Sequence, residues 1–380
     1  MKRDVLIVGG GVIGCSIALK LAEAGVNVTV IERGHLGCEA SSAAAGMLSP
    51  QADALKADEF FAFAVKSRSM YKDFVAHLKE LSGIDAQLRD EGTLFVSIEN
   101  PKGHADDWTA WQIEAGLKLE KIAADDLFKL EPAVTKLASR AFFLPDDHQV
   151  DNRLLMKALG VAIKRVGVEV IENEEVTELL VEKASVKGIA CGDQQIRAGA
   201  VLIAAGSWSG KLLERVGLKA KTIPARGQMI AVRSSAIRHV LHSSRIYLVP
   251  RNDGRLLIGA TIEYTGFEKA NTAKGIHSLL DAAIELVPEI AAAEIVETWS
   301  GLRPDTIDHL PILGQTSLAN LWLATGHFRN GILLAPATAE LMAQAIVKGR
   351  DEDGLKPFSA LRFEASKGIK SMNYSTSSHE

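Results

Sequence analysis

A chain of 380 residues, 47% hydrophobic and 24% charged, is long enough to bury one large core or two smaller ones. A formal net charge of −4 without a basic stripe excludes nucleic acid as an expected partner. Three cysteines without a CxxC exclude a disulfide framework and suit a reducing cytoplasm, and ten histidines without HExxH or paired spacing predict no metal.

Residues 4–8 form a short apolar run ending in glycines, which reads as a buried strand. Residues 13–24 have helical periodicity and end at Gly25, and 27–32 (NVTVIE) form a second β-rich run. Strand, glycine turn, helix and strand make a βαβ unit. Lys2 and Arg3 ahead of the apolar run resemble a signal peptide, but four glycines break the run. No 18-residue apolar stretch is read, so no membrane span is expected.

Residues 60–81 are helical, with Phe60, Phe61 and Phe63 read as core packing. Residues 91–100 contain a strand, and Trp108 and Trp111 sit in a polar helical segment. A helix over 153–167, a strand over 168–171 and a buried strand over 201–206 (VLIAAG) follow. Residues 228–232, 247–250 and 256–262 alternate as antiparallel strands, the last two joined by a turn at Asn252, Asp253 and Gly254. A strand over 321–326 (LWLATG) precedes a helix over 332–347, with Pro336 placed about its first turn. Residues 363–380 lose periodicity and read as a disordered tail.

The glycine-rich pieces lie at both ends and the middle of the chain, with antiparallel patterns between them. The fold class expected is α/β: a discontinuous Rossmann-like nucleotide-binding domain (1–85, 145–215 and 301–362) with an inserted antiparallel-sheet, α+β substrate domain (86–144 and 216–300).

Gly9, Gly11 and Gly14 match GxGxxG between a strand and a helix. The first permits a tight turn, the second lets a pyrophosphate approach the backbone, and the third lets helix and strand pack closely. Val12 and Ile13 then open a helix whose N-terminus favours the phosphate charge. Glu32 ends the next strand, placed to accept both ribose hydroxyls and opposed to a 2′-phosphate. Two further strands end in small residues: one at Ala205 and Gly206, the other at Gly326 before His327, Phe328, Arg329, Asn330 and Gly331. A nucleotide touching both is extended, which favours FAD. A helix N-terminus at the second would stabilise the negative charge of a reduced flavin pyrimidine edge.

Further segments, SSAAAGML (41–48), RGQ (226–228), YLVPR (247–251), GLRPDT (301–306) and GHFRNGILLAPAT (326–338), resemble the D-amino-acid-oxidase family of flavoproteins, over about residues 1–362. Within it they resemble the branch that oxidises glycine for thiamine biosynthesis. The resemblance implies non-covalent FAD held by Glu32, Arg33, Ala40, Ser41, Ser42, Ala45, Gly46, Met47, Val176 and the run His327, Phe328, Arg329, Asn330, Gly331, Ile332 and Leu333. It implies that Arg303 binds a substrate carboxylate, with Tyr247 beside it and Arg329 nearby. From the residues alone, Arg303 reads either as such a clamp or as a surface ion pair, and Tyr247 either as a pocket or a core residue. Arg226 and Arg251 read as structural or surface charges, and Cys15 and Cys38 as small buried residues. Arg245 replaces a histidine two residues before the pocket tyrosine, and Ile262 replaces a methionine; both are expected near the substrate.

The expected activity is oxidative deamination of glycine, sarcosine or small D-amino acids to an imine, then a 2-oxo acid, ammonia and hydrogen peroxide. Oxygen would be the electron acceptor, the imine would feed thiazole synthesis, and a monomer or homotetramer is permitted. The competing readings are a D-amino acid dehydrogenase serving a quinone or carrier, and a flavin-binding subunit without turnover.

Overall fold

The computed structural model describes residues 4–54, 56–98 and 104–363. The expected tail and the side chain of Trp108 lie outside the described residues. The chain opens with the anticipated βαβ unit: strand Asp4–Val8, helix Val12–Glu23 and strand Asn27–Glu32, the two strands parallel. Gly25 ends the unit's helix at φ 78°, a left-handed position glycine adopts without a Cβ penalty.

This unit nucleates a six-stranded sheet in the order Ile312–Gln315, Leu321–Thr325, Ala200–Ile203, Asp4–Val8, Asn27–Glu32, Glu169–Glu172. Every pair is parallel except the first. Strands of such a sheet are apolar throughout because both faces are covered. Val5 and Ile7 pack with the helices Val12–Glu23, Asn152–Arg165 and Gly331–Lys348. Leu6 and Val8 pack on the other side with Val186, Ile189, Leu212 and Leu213. That side is capped by a three-stranded meander (Glu178–Glu182, Ser185–Cys191, Gln194–Arg197) that the sequence did not announce. Gln194–Arg197 is polar and largely exposed, and Glu178–Glu182 holds three consecutive apolar residues between glutamates, so neither shows the alternation that marks a strand.

A second sheet of eight strands runs Ile295–Asp305, Ile223–Arg233, Arg255–Gly259, Tyr247–Pro250, Val240–His242, Thr93–Ser97, Arg140–Leu144, Glu120–Ile122. It is antiparallel save for Val240–His242 against Thr93–Ser97. Helix Ala273–Leu286 closes one face over Ile230, Leu248 and Ile258. The first strand continues to Asp305, so the chain stays in this sheet past the expected return at residue 301. Its pairing with Ile223–Arg233 is long enough to override the local sequence change at GLRPDT.

The helical stretch 60–81 divides into Glu59–Ser69 and Tyr71–Ser82, with Asp58 Oδ1 capping the first by accepting the Phe61 N–H at 2.9 Å. Phe61 packs edge-on against Trp111 and Phe63 tilts against Phe358, so these aromatics are core. Helix Gly331–Lys348 departs from expectation twice. The stretch Phe328–Lys348 is long and apolar enough to cross a membrane by length and composition, but 67% of its apolar window is buried inside the protein. Pro336 lies inside the helix rather than at its first turn. Its missing N–H would leave the Ile332 carbonyl without a partner. The Tyr71 hydroxyl donates to that carbonyl instead. Ser67 Oγ bridges the next gap, donating to the Leu333 carbonyl at 2.7 Å and accepting the Ala337 N–H at 3.2 Å. Burial pushes the Tyr71 hydroxyl well above its ordinary pKa, so it stays a donor. Tyr71→Phe should therefore cost about 1–3 kcal/mol, the penalty for an unsatisfied buried carbonyl. Chemical denaturation will show it; an unchanged midpoint would mean that the helix closes the gap unaided.

Candidate active site

Between the two sheets lies a cavity of about 450 Å³. It starts at the glycine turn, where Gly9 sits at φ 109° and a Cβ would come within 2.5 Å of the Ala204 carbonyl. Neighbouring strand ends thus meet with no room for side chains, leaving backbone as the wall. Glu32 reaches back to this turn: Oε2 accepts the Gly10 N–H at 2.8 Å and Oε1 the Gly34 N–H at 2.9 Å. Among the described residues no cation pairs with this buried carboxylate, which still has lone pairs for ribose hydroxyls. Arg33 stacks on the Trp208 ring at 3.6 Å and walls the same end.

The middle of the cavity is formed by residues 40–47. Gly46 is at φ 70°, and a Cβ there would sit 2.0 Å from the Val150 carbonyl. Arg251 holds this segment from behind, donating to the Ala45 carbonyl at 2.7 Å, to Gln149 Oε1 at 2.7 Å and to Asn152 Oδ1 at 3.1 Å. Burial lowers its pKa to about 10, which leaves it charged at neutral pH. Arg226, by contrast, pairs with Glu263. Both arginines are structural.

The far end carries Phe328, Arg329 and Asn330, with Gly331 and Ile332 opening the long helix. No side chain caps that N-terminus, which follows the 3₁₀ turn Phe328–Asn330 and presents the positive end of the helix dipole to the cavity. His327 is buried, and burial lowers its pKa to about 3, so the imidazole is neutral. It contacts Thr338 Oγ1 at 3.2 Å.

The remaining wall is the inner face of the second sheet. Arg303 lies across Gly227, where a Cβ would be 2.1 Å from Nη1. Nη1 donates to the Thr261 carbonyl at 3.0 Å, and among the described residues no carboxylate pairs with the guanidinium. The Tyr247 ring fills the space above Gly259, and its hydroxyl contacts Met229 Sδ at 3.4 Å.

The structure brings almost all the sequence-assigned residues to this one cavity, with five exceptions. Gly14 lies behind it, packing helix on strand, with a Cβ position 2.0 Å from the Gly9 carbonyl. Ser42 turns away and offers its carbonyl to Asn152 and Arg153. Leu333 is buried in the core of the helix. Arg245 sits on the hairpin between Val240–His242 and Tyr247–Pro250 and pairs with Glu285 and with Asp281 at 3.1 Å. Ile262 is 46% exposed beyond the strand end. Cys15 is buried, its thiol pushed up to about 12, whereas Cys38 is exposed against expectation. Trp208, Met229 and His242 line the cavity and were not foreseen. His242 is directly opposite Tyr247 across the hairpin, a pairing that the hairpin register reveals and linear spacing hides.

A βαβ glycine turn with a buried carboxylate at the end of its second strand, joined by one cavity to a guanidinium that no carboxylate pairs among the described residues, defines a dinucleotide-dependent oxidoreductase of the flavoprotein class. The comparisons place it more narrowly. The sequence profile described as FAD dependent oxidoreductase matches residues 4–345, and the chain belongs to that family. It is 36% identical over 369 residues to the glycine oxidase of Bacillus licheniformis, covering 96% of this chain and 98% of that protein. It is 36% identical over 380 residues to the bifunctional protein ThiO/ThiG of Trichormus variabilis, covering 96% of this chain but 56% of that longer protein. The crystal structure of glycine oxidase from Geobacillus kaustophilus matches with a TM-score of 0.90 at 33% identity, covering 97% of this chain and 100% of that one. The protein is an FAD-dependent oxidoreductase, and the donor set described above fits the cofactor.

Proposed function

We propose that this enzyme oxidises glycine, and small amines or amino acids like it, to an imine that water hydrolyses; glycine and D-amino acids give a 2-oxo acid and ammonia, and sarcosine gives methylamine in place of ammonia. Bound FAD supplies a two-electron acceptor along the cavity. Arg303 presents a planar fork to the substrate carboxylate, and the Tyr247 hydroxyl adds a directional contact. Together they fix the Cα–H bond, so geometry rather than a strong base lowers the barrier. The neutral amine's lone pair assists as the bond breaks. Oxygen is the proposed acceptor, giving one peroxide per amine: glycine, oxygen and water yield glyoxylate, ammonia and hydrogen peroxide. The glycine imine would serve thiazole formation in thiamine synthesis, as the names of the bifunctional relatives suggest.

The observation that carries this reading is the guanidinium of Arg303, held in the cavity without a carboxylate partner among the described residues. Anaerobic addition of glycine, sarcosine or D-alanine should bleach the flavin band, and aerobic addition should yield peroxide. If none of the three bleaches the band, the substrate class is wrong. If bleaching occurs but oxygen uptake requires an added carrier, the protein is a dehydrogenase.

A further inference from the structure

Strand Arg255–Gly259 and helix Ala273–Leu286 both belong to the second sheet and its cover, yet the chain between them crosses to the nucleotide side. The root of this strap is fixed. Glu263 exchanges two backbone hydrogen bonds with Arg226, at 2.8 and 2.9 Å, and its carboxylate accepts from the Gln228 amide at 2.7 Å. The tip belongs to no strand or helix, and residues 264–271 are all exposed. Tyr264 ties it to the strand end, donating to Asp305 Oδ2 at 2.7 Å.

Two further side chains of the tip reach the other half of the molecule. The Phe267 ring lies 5.5 Å from the Trp208 ring, and Lys211 Nζ sits over the Phe267 face at 3.9 Å. Lys269 Nζ pairs with Glu39 at 3.0 Å, while the Ser300 hydroxyl donates to the Lys269 carbonyl. Both contacts converge on Arg33, the residue after Glu32. Its guanidinium lies on the Trp208 ring at 3.6 Å and donates to Glu39. Arg33, Glu39, Trp208 and Lys211 line the cavity, and Phe267 and Lys269 stand behind them. A guanidinium held between an aromatic face and a carboxylate moves only when one of those two moves, and each is backed by the strap.

We propose that the strap tip is a clasp for the cofactor. Phe267 and Lys269 hold Trp208, Glu39 and, through them, Arg33 at the Glu32 end of the cavity, and so set the rate at which FAD is released. Neither residue lines the cavity, so both are positioning residues. One ring pair and one exposed ion pair are weak contacts. The clasp therefore opens and closes while both sheets stay folded. Loosening it acts on release more than on capture, as weakened contacts generally do.

The test reads cofactor exchange rather than turnover, so its outcome is independent of which amine is oxidised. Enzyme loaded with radiolabelled FAD is chased with unlabelled FAD, and bound label is counted over time. Phe267→Ala should release label about two- to tenfold faster than wild type, and Phe267→Tyr, which keeps the ring, should restore the wild-type rate. Lys269→Gln should release it about two- to fivefold faster at low salt, and that gap should close at about 1 M salt, where exposed charges are screened. The urea midpoints of the apoproteins should match wild type. Release at the wild-type rate from both Phe267→Ala and Lys269→Gln overturns the clasp. So does faster release that comes with a lowered apoprotein midpoint, or a Lys269→Gln gap that salt leaves unchanged, since either makes the strap an ordinary element of the fold.

Discussion

Arg303→Ala should raise the KM for glycine about 30-fold to several thousand-fold. Truncating one member of a desolvated charge pair costs about 2–5 kcal/mol, and each 1.4 kcal/mol is about tenfold. The expectation comes from how the side chain is held. Gly227 leaves the space in which the guanidinium lies, and the Thr261 carbonyl fixes one nitrogen at 3.0 Å. Three effects then separate. Arg303→Ala loses both charge and fork. Arg303→Lys keeps the charge but loses the paired N–H geometry, and should recover only part of the affinity. Gly227→Ala leaves the arginine in place but drives a methyl group into it, so it should mimic a milder Arg303 loss. Steady-state kinetics with glycine and sarcosine will show the order; a KM unmoved by Arg303→Ala removes this residue from substrate binding.

Gly14→Ala should abolish retention of FAD. A Cβ at this position would be 2.0 Å from the Gly9 carbonyl, far inside contact, and the clashing atom is backbone that cannot swing aside. Helix Val12–Glu23 must therefore lift off strand Asp4–Val8. That movement displaces Gly9, Gly11 and the helix N-terminus, which form the cavity wall. Gly25→Ala is the matched control. It is left-handed at φ 78°, which Gly14 in the helix is not, but nothing lies within 4 Å of its Cβ position. It should lose about 1–2 kcal/mol of stability while still purifying yellow. Flavin content by absorbance and urea midpoints distinguish the two. A Gly14→Ala protein with a full flavin complement would mean that the turn tolerates a shift which close packing should forbid.

Much of this architecture is local chemistry written in order along the chain. The run at 4–8, the glycines at 9, 11 and 14, and Glu32 ending the next strand were legible because a dinucleotide site needs those residue types at those spacings within one βαβ unit. The run from His327 to Ile332 was legible for the same reason, as a strand end feeding a helix N-terminus. The meander over 178–197 was not, because its short outer strands show no apolar–polar alternation. Ser42 and Leu333 do not line the cavity, because a contiguous motif places every residue on the path, whereas a backbone turn or helix presents only some of them to it.

The substrate side depended on tertiary structure. Arg245 and Ile262 are close to Tyr247 in sequence or motif, yet a hairpin tip and a strand end carry them to the surface. Met229 and His242 have no distinguishing context in the chain. They reach the cavity because antiparallel register sets them in one row with Tyr247. The sequence alone determined that a dinucleotide would bind and which glycine turn and carboxylate would form one end of its cavity, since neighbouring residues do that work. Only the folded sheets decided which side chains face the substrate, because strand register joins residues that the chain itself keeps far apart.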